Sequence, residues 1–198
     1  MTDGIADAKR ALRAELRERR QQRSDAARTA AAEGVKAQLD ALVASVGARS
    51  ISCFLSAPTE PGTHEFVADA VRRGIRVLLP VTRADGLLDW VVAEPDGDIT
   101  EGLFGMPEPV GEVLSPLAVN DVDLLIVPAA AVDATGMRLG WGRGYFDKTL
   151  GSMEHCPPVY AVVFDSELVE EVPRDVHDQP VTGVVTPTRT VVLAPHRR

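Results

Sequence analysis

The first part of the chain has apolar residues at the spacing of α-helices. In Ala6–Arg23, Leu12 and Leu16 lie one helical turn apart. Basic residues recur every three or four positions on an adjoining stripe: Lys9, Arg13, Arg17 and Arg20. A second helix is predicted from a cap at Ser24 to about Val46. The pattern therefore predicts an N-terminal arm made of two helices.

Beyond position 46, short continuous apolar runs replace the helical spacing. Four of these runs are predicted as buried strands: Ile51–Leu55, Ile75–Pro80, Leu124–Pro128 and Val159–Phe164. Helical segments at Thr63–Arg73 and Tyr145–Leu150 alternate with them. Strands that are apolar throughout and alternate with helices indicate a mainly parallel sheet that is covered on both faces.

Three further segments complete the predicted fold. Leu87–Ala93 is expected to join the sheet by hairpin or edge pairing, and Val181–Leu193 to supply one or two terminal strands. Residues 94–120 are rich in proline and glycine and are predicted to be a loop. The prediction is a single domain, 1–198, with a three-layer α/β fold whose helices flank the sheet. Residues 1–46 pack on this α/β core as the helical arm.

Composition narrows the class of protein. A chain of 198 residues with 45% hydrophobic and 25% charged residues has the balance of one globular domain. No apolar run is long enough for a membrane span and the N-terminus lacks the pattern of a secretory signal, so we expect a cytoplasmic protein without a membrane partner. Cys53 and Cys156 form no metal-binding motif and are expected to be free thiols. The four histidines are too scattered to suggest a zinc hydrolase.

Charge is distributed unevenly along the chain. The net charge is −8. Residues 1–28 hold eight Lys or Arg and five Asp or Glu, a charge of +3, which leaves −11 for the remainder. An acidic body argues against nucleic acid as a partner, whereas a local basic stripe suits a small anion such as a polyphosphate.

The glycine-rich stretch after the Leu124–Pro128 strand is the strongest candidate for chemistry. In parallel sheets, ligands bind beyond the carboxyl ends of the strands, a location shared by Ser56–Gly62, Val81–Gly86 and Ala129–Gly144. In the last of these, alternating glycines let backbone N–H groups approach an anion closely: Gly140, Gly142 and Gly144. The stretch is neither a Walker loop nor a Rossmann fingerprint. It predicts a phosphate-binding loop.

Charged residues flank this loop. Arg138 and Arg143 add full positive charges, and the helix that starts at Tyr145 presents the positive end of its dipole. Asp147 lies in the first turn of that helix, where an acid is favourable even without a ligand. Lys9 and Arg13 lie one helical turn apart and could reach phosphate oxygens from the N-terminal arm. The alternative interpretation is that they lie on a solvated helix face without a ligand.

Five ordered motifs resemble those of the 5-formyltetrahydrofolate cyclo-ligases, also called methenyltetrahydrofolate synthetases. The motifs are Lys9-Arg-x-Leu-Arg13, Phe54-Leu-Ser-x-x-x-Glu60, Phe104-Gly-x-Pro-Glu-Pro109, Arg138-Leu-Gly-x-Gly-x-Gly-Tyr-Phe-Asp147 and His177-Asp178-x-Pro180. The resemblance covers nearly the whole chain. One departure is Trp141, which stands where the family usually has arginine. Another is Arg143, which replaces a glycine or lysine.

The resemblance implies a reaction. Enzymes of this family convert 5-formyltetrahydrofolate to 5,10-methenyltetrahydrofolate, with ATP and Mg²⁺ as cofactors and with release of ADP and phosphate. The formyl oxygen is first phosphorylated, and the neighbouring anilino nitrogen then attacks the activated carbon. The implied partner is this small-molecule substrate, and the protein is expected to be a monomer or a homodimer.

The resemblance also implies roles for individual residues. The expected ATP contacts are Lys9, Arg13, Arg138, Gly140, Trp141, Gly142, Arg143, Gly144, Tyr145 and Asp147. The expected folate contacts are Phe54, Glu60, Phe104 and Tyr145. Asp147 and Asp178 are expected to bind Mg²⁺, and Arg138, Arg143 and Tyr145 to act in catalysis. Two points stay open: which arginine contacts phosphate, and whether Trp141 contacts the adenine or the pterin ring.

Two other functions are compatible with an anion-binding loop on a parallel α/β sheet. A sugar-phosphate isomerase would use the loop without ATP, and the candidate magnesium ligands would then have no task. A non-catalytic module that senses a phosphorylated metabolite would bind its ligand without turnover. An assay for the methenyl product with and without ATP separates these functions from the cyclo-ligase.

Overall fold

The computed structural model describes residues 2–153 and 155–193. The helices are α1 (Thr2–Gln21), α2 (Asp25–Val46), α3 (His64–Arg72) and α4 (Tyr145–Ser152). The strands are β1 (Ser50–Ser52), β2 (Arg76–Thr82), β3 (Leu88–Val92), β4 (Ile99–Glu101), β5 (Pro107–Pro109), β6 (Val113–Leu114), β7 (Leu124–Pro128), β8 (Ala131–Asp133), β9 (Arg138–Leu139), β10 (Val159–Val162), β11 (Leu168–Val169), β12 (Gly183–Val185) and β13 (Thr190–Val192). Three short 3₁₀ helices lie between strands, at Leu103–Gly105, Pro116–Asp121 and Asp165–Glu167.

Local signals explain where the two N-terminal helices begin and end. Ser24 caps α2, because its side-chain oxygen accepts a hydrogen bond from the N–H of Ala27 at 3.2 Å. Gly47 ends α2 in the left-handed conformation, with φ of 64°. The predicted pair of helices is thus confirmed.

The main sheet has eight strands in the order β13-β12-β10-β7-β1-β2-β3-β6. The five central strands, from β12 to β2, run parallel to one another. At one edge β13 pairs antiparallel with β12; at the other, β3 pairs antiparallel with β2 and β6 pairs antiparallel with β3. The mainly parallel sheet, the β2–β3 hairpin and the two terminal strands agree with the sequence prediction.

Both faces of the sheet are covered, as continuous apolar strands require. Alternate residues of β7 belong to different core clusters: Leu124 and Ile126 pack on one side, Leu125 and Val127 on the other. The first cluster includes Val35, Leu39 and Leu42 of α2 and Phe66, Val67 and Ala70 of α3. The second includes Leu150 of α4 and Val119 of a 3₁₀ helix.

The prediction of a loop at residues 94–120 is wrong in part. The segment contains the β4–β5 hairpin, and β6 extends the edge of the main sheet by pairing with β3. Strand β5 begins and ends with proline, which lacks a backbone N–H. Proline is compatible with an edge strand because one side of such a strand forms no hydrogen bonds to another strand. A small sheet of β11, β8 and β9 was also missed, because its strands have only two or three residues.

Helix α1 lies against this small sheet. Leu16 is buried in a third apolar cluster with Ala130, Ala131, Met137, Leu139 and Val172. Leu12, one turn earlier, is partly buried and packs against the same cluster. Within the described residues, no helix is both long and apolar enough to cross a membrane.

Candidate active site

A cavity of about 460 Å³ lies at the carboxyl ends of β1, β2 and β7. The three loops expected to hold ligands all contribute to its wall, for instance through Glu60, Thr82 and Gly140. Phe54 and Leu55 follow β1, and Pro128 ends β7. This volume is in the range of sites that hold small organic ligands. The location follows from the parallel strands, whose carboxyl ends meet at the same edge.

One end of the cavity carries a buried carboxylate, Glu60. Its Oε2 accepts a hydrogen bond from the N–H of Ala57 at 2.9 Å, and its Oε1 accepts one from Nε1 of Trp141 at 3.0 Å. Burial raises the pKa of Glu60, while these two hydrogen bonds and the nearby Arg20 oppose the rise. Trp141, which replaces the expected arginine, thus contacts Glu60 with a neutral donor.

Arg20 stands behind this end of the cavity and was not among the predicted site residues. It is almost fully buried and makes two hydrogen bonds of 2.7 Å with the carboxylate of Glu167. Its Nη2 also donates to the carbonyl oxygen of Ala129 at 2.9 Å. A signal was present in the sequence: Arg20 lies one turn after Leu16, on the helix face that is buried.

The glycine-rich loop forms another part of the wall. Gly142 and Gly144 have φ values of 94° and 71°, a left-handed conformation that glycine adopts readily. Arg13 packs against this loop, donating from Nε to the carbonyl oxygen of Gly140 at 2.7 Å. A Cβ atom at Gly142 would lie 3.4 Å from the guanidinium carbon of Arg13. That distance is an ordinary contact, so the positive φ of Gly142 is what favours glycine at this position.

A cluster of paired charges lies at this loop. Nη2 of Arg138 contacts Oδ1 of Asp147 at 2.6 Å, and Lys9 forms an ion pair with Asp178. The pKa of Arg138 is lowered by burial, and Asp147 and Asp178 oppose the shift. The pKa of Arg13 is likewise lowered by burial, opposed by the same two carboxylates. These five side chains thus form one electrostatic unit.

Arg143 and Tyr145 line the cavity, and the polar group of each contacts another residue. The guanidinium carbon of Arg143 lies 3.6 Å from the centroid of the Phe104 ring. The hydroxyl of Tyr145 donates to the carbonyl oxygen of Arg83 at 2.9 Å. Phe104, on the tip of the β4–β5 hairpin, is more than half exposed and has a φ of 64°, which is unusual for a side chain of this size.

The predicted site residues therefore fall into two groups. Those that line the cavity are Phe54, Glu60, Phe104, Arg138, Gly140, Trp141, Arg143, Gly144, Tyr145 and Asp147. Lys9, Arg13, Gly142 and Asp178 lie outside its wall, and Arg13 reaches the glycine loop from the side of α1. The structure brings the N-terminal motif to the glycine loop, and the roles of these residues stay predictions.

The prediction overlooked a second buried carboxylate in the wall of the cavity. Glu108 lies in the midchain motif, where only Phe104 was singled out. Its Oε1 accepts a hydrogen bond from the backbone N–H of Thr82 at 2.9 Å, which ties the β4–β5 hairpin to β2. Arg17, Gln21 and Met106 also line the cavity.

No group of three or more His, Cys, Asp or Glu residues in the described part of the chain is arranged to hold a metal ion. Asp147 and Asp178 both interact with Arg138 and Arg13. Oδ2 of Asp147 and Oδ1 of Asp178 accept no hydrogen bond from the described residues. Mg²⁺ commonly takes one or two carboxylates and completes its shell with water and phosphate oxygens. This donor set fits magnesium that arrives with a phosphate, and does not fit a metal held by protein alone.

Comparison with known proteins identifies the family. A sequence model of the 5-formyltetrahydrofolate cyclo-ligase family matches residues 5–187. The chain belongs to this family. It is 35% identical over 190 residues to a 5-formyltetrahydrofolate cyclo-ligase of Mycolicibacterium smegmatis, an alignment that covers 93% of this chain and 96% of the relative. The cyclo-ligase of Escherichia coli K12 is 34% identical over 149 residues, 73% of this chain and 81% of that one.

Solved structures agree with the assignment to the cyclo-ligase family. The 5,10-methenyltetrahydrofolate synthetase of Aquifex aeolicus has a TM-score of 0.79 and 26% identity, over 96% of this chain and 95% of that one. The synthetase of Mycoplasma pneumoniae, with a TM-score of 0.71 and 17% identity over 90% and 98%, shares the fold. The protein is therefore an enzyme of the cyclo-ligase family, with a place in folate metabolism.

Proposed function

We propose that this enzyme cyclises 5-formyltetrahydrofolate to 5,10-methenyltetrahydrofolate, using ATP and Mg²⁺ and releasing ADP and phosphate. The observation that carries the proposal is one cavity with two chemically different parts. Glu60 supplies a buried acceptor in one part, and Arg138 with the glycine loop supplies positive charge in the other. A folate and a polyphosphate need these opposite environments.

The acidic part of the cavity suits the pterin ring. A pterin presents neighbouring N–H donors along one edge, and a carboxylate held by Ala57 and Trp141 can accept hydrogen bonds from them. Phe54 and Phe104 supply aromatic surface in the same wall. We assign these residues, together with Tyr145, to the folate.

The cationic part suits phosphoryl transfer. Lys9 and Arg13 approach the loop from α1, while Arg138 and Arg143 lie on the cavity side. Nε of the buried Arg138 has no hydrogen-bond partner among the described residues, so this donor is available for an anionic oxygen. Lys9 and Arg138 are paired with Asp178 and Asp147 in the structure. We assign these two carboxylates to magnesium and the cations to phosphate oxygens.

The proposed chemistry needs no nucleophile from the protein. The formamide oxygen of the substrate attacks the γ-phosphorus of ATP, and the bond between this phosphorus and the ADP oxygen breaks. The anilino nitrogen then forms a bond to the activated formyl carbon and loses its proton. The carbon–oxygen bond breaks and phosphate leaves with its electron pair. Magnesium, when bound, lowers the negative charge on the phosphates, and the protein positions the reacting groups.

An assay of the purified protein tests this function. We expect the absorbance of the methenyl product to rise with 5-formyltetrahydrofolate, Mg²⁺ and ATP, and to stay flat when ATP is left out. Failure to form the product under all conditions would show that the proposal is wrong. Turnover of a sugar phosphate without ATP would instead identify an isomerase. Binding of a phosphorylated metabolite without any turnover would identify a sensor.

The magnesium assignment predicts a specific defect in Asp147→Asn. Loss of this carboxylate is expected to raise the magnesium concentration needed for half-maximal activity by roughly tenfold, because a carboxamide is a weaker ligand for a hard cation. Asp25→Asn is the matched control, since Asp25 also lies in the first turn of a helix and is fully exposed. A magnesium titration of Asp147→Asn that coincides with that of the unchanged enzyme would remove Asp147 from the metal site.

A further inference from the structure

In the buried ion pair behind Glu60, the guanidinium of Arg20 has one nitrogen, with two N–H donors, that its hydrogen bonds to the described residues do not use. Nε and Nη2 of Arg20 bind Glu167, and Nη2 also reaches Ala129. Nη1 is buried and has no hydrogen-bond partner among the described residues. The carboxylate oxygen next in reach of Nη1 is Oε1 of Glu60, at 3.9 Å. This side of the guanidinium therefore faces the carboxylate that we assign to the pterin.

Trp141 joins these two charged groups. Its indole N–H donates to the same Oε1 of Glu60, and the guanidinium carbon of Arg20 lies 4.8 Å from the centroid of its ring. Arg20 itself is absent from the wall of the cavity, whereas Glu60 and Trp141 belong to it. Glu60 and Trp141 therefore provide a contact path from Arg20 to a ligand in the cavity.

We infer that Arg20 is a positioning residue for folate binding, which keeps Glu60 ionised and oriented through direct charge contact and through the Trp141 ring. The inference rests on the proposed function, because it takes the ligand of Glu60 to be 5-formyltetrahydrofolate. It assigns a task to the N-terminal helix beyond phosphate binding. The same helix then serves both the glycine loop, through Lys9 and Arg13, and Glu60, through Arg20.

The charges around Glu60 explain why Arg20 matters. The groups that act on this carboxyl are Arg20 from α1, Glu167 from the 3₁₀ helix after β10, the N–H of Ala57 and the indole of Trp141. Arg17 of α1 also lines the cavity, and its guanidinium carbon lies 5.7 Å from the centroid of the Trp141 ring. Burial raises the pKa of Glu60 and Glu167 adds to the rise, whereas Arg20 lowers it. Without Arg20, Glu60 would share a buried site with Glu167 and no adjacent buried cation. Its protonated form would then be favoured.

Protonation of Glu60 would weaken folate binding in a defined way. A carboxylic acid accepts hydrogen bonds less strongly than a carboxylate, and its O–H would face the N–H donors of the pterin. Affinity for the folate is therefore present above the pKa of Glu60 and is lost as the pH falls through it. Raising this pKa moves the loss to higher pH, so a more alkaline buffer should restore binding.

The test uses Arg20→Gln in the full-length enzyme. At neutral pH we expect KM for 5-formyltetrahydrofolate to rise roughly tenfold or more, because a hydrogen-bonded buried charge is lost. We expect kcat at saturating folate and KM for ATP to change by less than about threefold, since neither reacting group contacts Arg20. The acid limb of kcat/KM for the folate should shift to higher pH.

Two further variants separate a positioning role from a general loss of structure. Arg23→Gln removes a neighbouring arginine that stacks on Phe164 at 3.7 Å and has no contact with Glu60, so it should leave KM and the pH profile unchanged. Arg20→Lys retains a positive charge, so the acid limb of its kcat/KM profile should lie between those of Arg20→Gln and the unchanged enzyme. It also keeps the test possible if Arg20→Gln does not fold, which thermal unfolding would reveal.

The outcomes for Arg20 and for the proposed function are distinct. If the unchanged enzyme forms the methenyl product and the Arg20 variants keep its KM for the folate and its acid limb, the inference about Arg20 is overturned and the function stands. If the unchanged enzyme forms no product, the function fails. Equilibrium binding of 5-formyltetrahydrofolate, followed by tryptophan fluorescence, then decides on Arg20, and the absence of binding would overturn both.

Discussion

A single exposed carboxylate, that of Asp123, joins the starts of two neighbouring strands. Its Oδ2 accepts hydrogen bonds from the N–H groups of Arg49 and Ser50 at 2.8 and 2.9 Å, just before and at the start of β1. The backbone N–H of Asp123 donates in turn to the carbonyl oxygen of Ser50 at 2.7 Å. The two accepted hydrogen bonds hold the pKa of Asp123 below its usual value.

This lowered pKa predicts a pH-dependent contribution to stability. The contribution is present above the unfolded-state pKa, about 3.9 for aspartate, and is lost as the pH falls through the lower pKa of the folded state. At neutral pH, Asp123→Asn should lower the free energy of unfolding by about 1 kcal/mol, a modest value because solvent screens the exposed carboxylate. Urea unfolding at several pH values measures the difference between the variant and the unchanged protein.

A neighbouring acid serves as the control for this effect. Asp121 is also exposed, ends a 3₁₀ helix and accepts no hydrogen bond from the described side chains or backbone through its carboxylate. Asp121→Asn should leave the stability unchanged at every pH. Equal stability of the two variants at neutral pH would contradict the role given to Asp123.

Helix α2 passes close to the backbone just after β12. A Cβ atom on Gly34 would overlap the carbonyl oxygen of Pro187, two residues after β12, and would lie 3.0 Å from the carbonyl carbon. Glycine in the middle of a helix is otherwise unfavourable. The close approach of backbone to backbone accounts for its presence in α2.

Gly34→Ala is therefore expected to destabilise the protein although alanine favours helices. The overlap is with backbone atoms of Pro187, which cannot rotate away, so its cost should lie toward the upper part of the range of roughly 1–3 kcal/mol and exceed the gain in helix propensity of about 1 kcal/mol. Gly4→Ala in α1 is the matched control, since no described atom lies within 4 Å of a Cβ atom there. Thermal unfolding should give a lower midpoint for Gly34→Ala than for Gly4→Ala. The reverse order would show that α2 can move away from the loop.

At the scale of the whole molecule, α1 connects the two ends of the cavity. Arg13 packs on the glycine loop, Lys9 pairs with Asp178, and Arg20 lies behind Glu60. Leu16 lies between these residues in sequence and is buried against the small sheet. The stability of this packing should therefore influence the binding of both ATP and the folate.

Leu16→Ala tests this coupling. The variant should lose about 2–5 kcal/mol of stability, because a buried leucine is replaced by a cavity. KM for ATP and KM for 5-formyltetrahydrofolate should both rise, in contrast to the selective effect expected of Arg20→Gln. Leu117→Ala, at a position that is 71% exposed, is the control and should change neither. If the KM values of Leu16→Ala stay unchanged in folded protein, α1 does not couple the two ends.

The sequence by itself determined the main elements and the place of the cavity. Buried strands such as β7 and β10 are continuous apolar runs because both faces of the sheet are covered, and α2 shows helical spacing with a serine cap. Parallel strands place the loops that follow them at one edge, so the three loops that line the cavity could be named in advance. These features depend on local patterns, which the sequence shows directly.

Only the tertiary structure decided which distant residues meet. Arg20 is buried because Glu167, 147 positions away, lies opposite to it, and Lys9 meets Asp178 across 169 positions. The strands in residues 94–120 and in the small sheet are too short to have a periodic signature, and they exist because partner strands are nearby. Ion pairs and pairing between strands join residues that are distant in sequence. The sequence around each residue therefore does not show which partner it will meet.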